Sequence, residues 1–269
     1  MLGSSQPTLS RQIRRLEART GTTLFERVAR GLRLTQSGAA LVEPARQMQA
    51  AAQTLALTAL GHTQQLAGTV RLTASEMTSA YLLPPIIARL RRSHPEIQIE
   101  LVVSNRVENL LERQADIAVR HTRPTQKELI ARHIGNLRMG AFAHADYVAQ
   151  VGKVDISHPD AYDWIGFDSS DLLLRRFREA GIPMERAFFP FRCDNHVACW
   201  HAALAGVGIS FSPYITARRW PEMQAVLPER MVPPMPVWLT AHRELRSSPR
   251  IRLVFDALAD ALQQLLSTE

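Results

Sequence analysis

The apolar and polar positions at the start of the chain predict an amphipathic helix followed by a short basic hairpin. Leu9, Ile13 and Leu16 recur at spacings of four and three residues, which places them on one face of a helix. Hydroxyl side chains precede them and are suited to capping, and Pro7 falls in the first turn, where its missing N–H costs nothing. Residues 27–34 then predict two very short strands joined by a turn, which form a wing.

A second helical pattern begins at Thr35 and continues to Gly68 in a stretch rich in Ala, Gln and Leu. Its apolar positions repeat at alternating spacings of four and three residues, so they form a heptad seam of large and small side chains. Thr35 is placed to cap this helix, and Pro44 is expected to kink it near its start. The seam either pairs with the same helix of a second subunit or packs against its own chain. The seam residues are Leu41, Ala45, Met48, Ala52, Leu55 and Ala59.

From residue 69 onward the pattern alternates between strands and helices. The first part is strand, helix, strand, helix, strand, an order that predicts a parallel sheet with right-handed crossovers. The alternation continues to the C-terminus, where an amphipathic helix closes the chain. The predicted strands are 69–75, 97–103, 116–120, 137–143, 164–167, 189–193, 208–212 and 236–242, and the predicted helices are 81–92, 107–114, 172–180, 195–205 and 249–266.

Positive charge is concentrated in the first 38 residues. They hold seven arginines and two glutamates, a net charge of +5, whereas the whole chain of 269 residues carries +7. A basic cluster on a helix and a turn is the electrostatic pattern of nucleic-acid binding. A solvated basic helix that binds nothing would carry the same charge, so charge alone leaves both interpretations open.

Composition and cysteine content place the protein among ordinary soluble globular proteins. Apolar residues make up 46% of the chain and charged residues 21%. Two cysteines do not make a disulfide framework, which favours a reducing compartment. No apolar run is long enough to span a bilayer, and the N-terminus lacks the apolar core of a secretory signal. We therefore predict a cytoplasmic protein without a membrane partner, and the missing signal argues against an exported binding protein.

The N-terminal segment resembles the second half of the winged helix-turn-helix of LysR-type transcriptional regulators. The resemblance rests on a long ordered set of residues: SQPTLSRQI at 5–13, Leu16-Glu17, Gly21, LFER at 24–27 and GLRLT at 31–35. In that family the Ser-Gln-Pro helix is the recognition helix in the major groove. The resemblance therefore implies duplex DNA as a partner. The implied DNA contacts are Ser5, Gln6, Pro7, Thr8, Ser10, Arg11 and Arg14 on the helix, with Arg30 and Arg33 on the wing.

The chain departs from the family pattern at its start. Family members have two helices before the Ser-Gln-Pro helix, and here Met1 to Gly3 stand where the second of them ends. The apolar stripe on the recognition helix would then lack its packing partners, and a lone helix is marginal in water. We therefore expect a mis-assigned start or a truncation. The alternative function is a DNA-incompetent fragment that binds an effector and oligomerises.

The rest of the chain resembles the effector domain of the same family, an α/β domain with a two-lobed, type 2 periplasmic-binding-protein-like fold. The motifs are YLLPP at 81–85, His94-Pro95, ADIAVR at 115–120 and AGVGI at 205–209. The resemblance implies a partial winged helix-turn-helix at 1–38, a linker helix at 39–68 that pairs subunits into a homodimer or homotetramer, and an effector domain at 69–269. We expect lobe one at 69–141 and 243–269, and lobe two at 142–242.

The predicted effector site lies between these lobes. Ligands of open α/β sheets bind at the carboxyl ends of strands, where helix N-termini offer free N–H groups. Plain helix capping is the commoner use of the Ser and Thr residues found there. Arg120-His121 either supplies positive charge to the cleft, or Arg120 is a surface arginine. We predict a small polar effector, such as an organic acid. Its predicted contacts are Ser75, Thr78, Ser104 and Arg120 from lobe one, and Asn195, His196 and Pro213 from lobe two.

No catalytic, cofactor or metal site is predicted. Cys193, His196, Cys199 and His201 are residue types that ligate zinc, but one short span does not easily supply four converging ligands, so core cysteines are the simpler interpretation. We find no phosphate-cradling glycine loop, no HExxH and no nucleophile–base pair. A ligand-responsive transcriptional regulator is thus the predicted function, and a small-molecule binding protein or enzyme on a two-lobed fold is the competing hypothesis.

Overall fold

The computed structural model describes residues 6–28, 31–42, 44–45, 48, 66–105, 115–126, 128–182, 184–228, 231–243 and 248–268. The chain divides into two compact units, Met1–Ala59 and Leu60–Glu269. The predicted helix 107–114 lies outside the described residues, as do Ala52, Leu55 and Ala59 of the seam.

The described part of the first unit contains a helix, a two-stranded hairpin and a second helix. Helix α1 spans Gln6–Thr20, and the strands β1 (Phe25–Val28) and β2 (Gly31–Leu34) pair antiparallel. Helix α2 comprises the helical residues 36–42, 44–45 and 48. The predicted amphipathic helix and wing are both present.

Hydrogen bonds of the Leu24 backbone link α1 to the start of α2. Glu17 of α1 accepts hydrogen bonds from the backbone amides of Leu24 at 2.7 Å and Phe25 at 3.2 Å. The Leu24 carbonyl accepts the Thr35 amide, and the Thr35 hydroxyl accepts the Gly38 amide at 3.0 Å, so Thr35 caps α2 as predicted. A Cβ atom at Gly38 would lie 2.2 Å from the Leu24 carbonyl oxygen. Only glycine lets α2 approach the hairpin this closely.

The second unit alternates strands and helices over its described part, where no helix is long and apolar enough to cross a bilayer. A π-helical turn, Thr78–Leu82, leads into the first of its helices. The strands are β3 (Gly68–Ala74), β4 (Ile97–Val103), β5 (Ile117–Arg120), β6 (Leu129–Leu137), β7 (Met139–His144), β8 (Ile165–Gly166), β9 (Phe191–Arg192), β10 (Ser210–Pro213), β11 (Met223–Ala225) and β12 (Met235–His242). The helices are α3 (Leu83–Ser93), α4 (Ala145–Val151), α5 (Leu172–Glu179), α6 (His196–Leu204), α7 (Tyr214–Ala217) and α8 (Pro249–Ser267).

Lobe one is built on a five-stranded sheet in the order β4-β3-β5-β12-β6. Strands β4, β3 and β5 run parallel, as predicted, and β12 runs antiparallel to both of its neighbours. Helices α3 and α8 pack against each other, and α8 also packs on β3, β6 and β12. Because β3, β4 and β5 run parallel, their carboxyl ends lie at one edge of the sheet.

Lobe two is a smaller mixed sheet with an aromatic core. Strand β7 lies between β10 and β11 and is antiparallel to both, while β8 and β9 pair parallel. A bridge between Trp164 and Ile209 joins these two parts. Trp164 is fully buried and packs edge-on against Phe177. A second buried cluster, which includes Phe142, Cys199 and Trp200, packs α6 onto this sheet.

Two predicted lobe boundaries are wrong. The predicted strand 137–143 is in fact two strands, β6 in lobe one and β7 in lobe two, so the chain crosses at Arg138 and not after residue 141. The predicted lobe two, 142–242, includes β12, but β12 pairs with β5 and β6 of lobe one, so the chain returns before Met235. Local apolar alternation predicts a strand but does not determine which sheet it joins. The outer limits of the DNA-binding, linker and effector segments stay predictions.

Candidate functional site

Helix α1 presents a row of arginine side chains. Arg11, Arg14 and Arg15 are exposed, and the first turn of the helix holds no acidic residue. Ser10 is half-buried beside them. Arginine is the cation best suited to bidentate contacts with phosphate and with guanine edges. On the apolar stripe of the same helix, Leu16 is 49% exposed.

The predicted wing contact Arg33 lies on β2 and forms an ion pair with Glu26 on β1 at 2.8 Å. The Arg33 side chain is 70% exposed, and an exposed pair of this kind contributes at most about 1 kcal/mol. Arg33 can therefore exchange its ion-pair partner, the Glu26 carboxylate, for a phosphate group at a small cost in free energy. Ser5 and Arg30 lie outside the described residues, as do the side chains of Gln6, Pro7 and Thr8.

In the second unit, a cluster of two hydroxyls and an imidazole lies at the carboxyl ends of β3 and β5. The Thr78 hydroxyl oxygen is 2.9 Å from Nε2 of His121, and the Ser75 hydroxyl oxygen is 3.2 Å from the same nitrogen. The two hydroxyl oxygens are themselves 2.9 Å apart. The structure thus joins two predicted effector residues through a histidine.

His121 acts in this cluster as a neutral acceptor. Its Nδ1 atom lies 3.1 Å from the Pro236 carbonyl oxygen, which can only accept, so Nδ1 carries the proton. Burial lowers the pKa of His121 to about 4, and the positive charge of Arg120 acts in the same direction. Nε2 therefore offers a lone pair, which accepts a hydroxyl proton from Thr78 or Ser75. His121 does not supply the positive charge considered for this edge.

This cluster corrects one expectation, because the sequence showed no nucleophile–base pair and the structure places two hydroxyls within hydrogen-bond distance of an imidazole. The chemistry nevertheless disfavours catalysis. An efficient general base has a pKa near the working pH, whereas the pKa of His121 is lowered to about 4. Its orienting partner is the neutral Pro236 carbonyl, which stabilises an imidazolium less than a carboxylate does.

Arg120, the predicted cation of lobe one, is only 6% exposed. Its guanidinium donates to the Ser104 carbonyl at 2.9 Å and to the Thr73 hydroxyl at 3.0 Å. Burial lowers the pKa of Arg120. Its Nε atom has no hydrogen-bond partner within the described part of the chain. The guanidinium therefore joins the ends of β3, β4 and β5 beneath the site.

On lobe two, the start of α6 carries two further predicted residues. Asn195 caps the helix by accepting the Ala198 amide at 2.8 Å. The His196 amide donates to the Glu76 carboxylate of lobe one at 2.6 Å. The His196 ring stacks on Phe167 with centroids 4.5 Å apart, and burial lowers the pKa of His196 although nearby carboxylates oppose this. The backbone of α6 therefore contacts the opposite lobe here.

A second link between the lobes is formed by Tyr81 of lobe one. Its hydroxyl lies 3.3 Å from Nε2 of His201, and its ring meets Trp220 edge-on with centroids 5.4 Å apart. Arg219 donates to the Tyr81 carbonyl and places its guanidinium 5.9 Å from the Tyr81 ring centroid. Tyr81 is thus embedded in the aromatic cluster of lobe two.

The cysteine and histidine residues between positions 193 and 201 make separate contacts and do not form one cluster. The Cys199 thiol is buried and donates to the Cys193 carbonyl at 3.0 Å, and burial raises the pKa of Cys199 to about 12. Such a thiol is unreactive at neutral pH. His201 pairs with Tyr81 as described. Within the ranges that the structure describes, no group of three or more His, Cys, Asp or Glu residues is arranged to hold a metal ion.

Most of the predicted effector residues come together at this edge. Pro213 is the exception, because it is buried at the end of β10 and no hydrogen bond shown for the described residues links it to the others. Two residues of the site, Glu76 and His121, are absent from the predicted contacts. Each directly follows a predicted site residue in the sequence. For Glu76 this adjacency is the only signal, whereas the sequence analysis considers His121 as a source of charge but not as a contact.

Two family models match the chain. Residues 63–263 match the LysR substrate binding domain, and residues 1–39 match the bacterial regulatory helix-turn-helix protein, lysR family. The chain belongs to the LysR family. The two matches confirm the resemblance to LysR-type regulators that the sequence motifs indicate. They also confirm the predicted fold class, an α/β chain with a winged helix-turn-helix segment and a two-lobed domain.

Individual relatives agree with this assignment. An HTH-type transcriptional repressor of Pseudomonas aeruginosa is 29% identical over 154 residues, which cover 57% of this chain and 49% of that protein. The HTH-type transcriptional regulator CrgA of Neisseria meningitidis is 33% identical over 154 residues, which cover 56% of this chain and 50% of that protein. The LysR-family chain thus spans about half the length of these curated relatives.

Solved structures show the same fold. The regulatory domain of CrgA from Neisseria meningitidis superposes with a TM-score of 0.64 at 20% identity, covering 73% of this chain and 99% of that one. The full-length Vibrio cholerae virulence activator AphB gives a TM-score of 0.64 at 17% identity, covering 96% of this chain and 91% of that one. At these identities the likeness concerns the LysR-family fold alone.

Proposed function

We propose that this chain is a DNA-binding transcriptional regulator that responds to a small-molecule effector held between its two lobes. One observation carries the proposal: a single chain joins a lysR-type helix-turn-helix segment with an exposed arginine face to a two-lobed domain of the LysR substrate-binding family. A protein that acts on chromosomal DNA works in the cytoplasm, and we propose that location. Non-enzymatic action is consistent with relatives that are transcriptional regulators.

The DNA-binding part is tested with arginine variants in two positions. Binding sites are first selected from random duplexes and then titrated by fluorescence anisotropy. Arg11→Ala is expected to cost about 1–3 kcal/mol on the selected sequence and to relax its preference, because a base-edge contact is lost. Arg33→Ala is expected to weaken all duplexes alike and to reduce the salt slope, because a phosphate contact is lost. Arg89→Ala, an exposed arginine of α3, is the matched control.

Unchanged affinity and preference in Arg11→Ala would rule out α1 as the recognition helix. The alternative function, effector binding and oligomerisation without DNA affinity, is favoured by one observation, the 49% exposure of Leu16 on the apolar stripe of α1. Ordering a helix whose apolar face is not fully packed subtracts from binding. A chain that selects no duplex even at low salt would support this alternative.

The effector part rests on the edge formed by β3, β5 and the start of α6. We propose a small polar effector, with organic acids as the first class to test, because hydroxyls and helix N-terminal amides converge there and favour anionic groups. The proposed contacts remain Ser75, Thr78, Ser104, Arg120, Asn195, His196 and Pro213. The homodimer or homotetramer is likewise a proposal, formed through the seam of α2, where Leu41 and Met48 are exposed in the described residues.

A library of organic acids screened by thermal shift tests this site. The double variant Ser75→Leu, Thr78→Leu fills the cluster with apolar side chains and is expected to abolish the shift from any hit while leaving DNA binding intact. Thr69→Leu, at the opposite end of β3, is the control for adding a leucine to the same strand. A hit that shifts the double variant as much as the parent would place the pocket elsewhere.

A further inference from the structure

The carboxylate of Glu76 crosses from lobe one to lobe two and reaches the first residue of α6. Its Oε2 atom lies 2.6 Å from the His196 amide nitrogen. The first amides of a helix have no partner within the helix, and the helix dipole favours negative charge at this end. Glu76 therefore occupies, from the opposite lobe, a position that suits an anion.

Both sides of this contact are held in place by their own lobes. The Glu76 amide donates to the Asn105 side chain at 3.1 Å, which fixes the backbone of Glu76 after β3. On lobe two, Asn195 caps the same turn of α6, and the His196 ring stacks on Phe167. Because each partner is positioned before the lobes meet, little conformational entropy opposes their contact.

The charge of Glu76 distinguishes this contact from the other described links between the lobes. The links made by Tyr81 use a hydroxyl, a ring and a carbonyl, so lobe one contributes no ionised group to them.

We propose that Glu76 is a latch between the lobes: its carboxylate holds the start of α6 against lobe one. Release at Glu76 loosens the start of α6 while Tyr81 keeps the lobes joined, so the latch sets how easily the cleft opens.

Hydrogen–deuterium exchange on the full chain, without DNA or effector, tests the latch at single-residue resolution. In the parent, the His196 amide is expected to be protected although it lies in the first turn of a helix. Glu76→Ala should exchange this amide about tenfold faster, the size expected for losing one charged hydrogen bond. Glu76→Gln keeps an acceptor but loses the charge, so it should fall between Glu76→Ala and the parent.

The same helix supplies an internal control. The Ala198 amide is bonded locally to Asn195, so its protection should stay unchanged in both variants, which also shows that α6 remains folded. Glu100→Ala removes an exposed carboxylate of lobe one that pairs with Arg71, and it should leave the His196 amide as in the parent.

Equal protection of the His196 amide in the parent and in Glu76→Ala would overturn the latch, as would loss of protection at His196 and Ala198 together. Neither result depends on DNA or on an effector. A failed latch is therefore distinguishable from a failed regulator, which the duplex selection and the thermal-shift screen address separately.

Discussion

Stability of the effector domain should depend on pH through His121. The imidazole is buried beside Thr78, Ser75 and the Pro236 carbonyl, and its pKa falls from 6.5 to about 4 in the folded chain. The folded state therefore disfavours protonation that the unfolded chain accepts. The contribution of neutral, buried His121 to the free energy of unfolding is fully present above pH 6.5. It decreases as pH falls and is lost below about pH 4.

The size of this effect follows from the two pKa values of His121. A fall from 6.5 to about 4 corresponds to a loss of roughly 3 kcal/mol when the group is protonated in both states. Between pH 7 and pH 5 the same values give a loss of about 2 kcal/mol. His121→Asn cannot titrate, so it should lose about 2 kcal/mol less than the parent over this interval. At pH 7 it should be less stable by about 1 kcal/mol, because Thr78 loses its acceptor.

Urea unfolding followed by tryptophan fluorescence measures this difference. All four tryptophans lie at positions 164, 200, 220 and 238, within the second unit, so the signal reports the effector domain. The free energy of unfolding is compared at pH 7 and pH 5 for the parent, His121→Asn and His158→Asn. His158 is 75% exposed on lobe two and controls for removing a histidine. If His121→Asn and the parent lose the same free energy between the two pH values, burial of His121 does not set the pH dependence.

Two further predictions concern packing. A Cβ at Gly208 would lie 2.2 Å from the Asp163 carbonyl oxygen. Gly208→Ala should therefore lower the free energy of unfolding by about 3 kcal/mol in the same urea assay. A variant as stable as the parent would contradict this close approach. Leu41 and Met48 are 39% and 75% exposed on α2. Replacing both with Glu should place like charges across the proposed symmetric contact, so the proposed oligomer should dissociate, as measured by sedimentation velocity. An unchanged sedimentation coefficient would indicate that the seam does not join subunits.

The parallel part of lobe one was predictable because each of its strands can be recognised from the apolar pattern of its own residues. Strand β4 was predicted with its observed limits, and β3 within one residue at each end, since apolar runs bounded by turns and separated by helices specify parallel pairing. The run at 137–143 instead joins two sheets without a break in its apolar pattern. Strand β12 enters lobe one between β5 and β6, and this pairing depends on residues about a hundred positions away or more.

The candidate site was predictable only as far as position after a strand allows. Ser75 and Thr78 follow β3, and a βαβ order is sufficient to place them at the sheet edge. The role of His121 depends on burial and on the Pro236 carbonyl, and the role of Glu76 depends on α6 of the other lobe. These contacts join residues far apart in sequence, so no local pattern predicts them. Arg120 shows the converse: its position at the end of β5 follows from the sequence, but its burial determines what its charge can do.

Most of the polar groups described at this edge already have partners, and under the proposed function this affects how an effector would be discriminated. Nε2 of His121 accepts a hydroxyl proton, the Arg120 guanidinium binds the Ser104 carbonyl, and the His196 amide binds Glu76. Binding then exchanges one hydrogen bond for another, so each polar contact adds little net affinity. An analogue that displaces an internal partner without replacing it leaves a buried group unsatisfied, which costs about 1–3 kcal/mol. Such a cleft therefore rejects ligands that lack a polar group more strongly than it rewards ligands that add one.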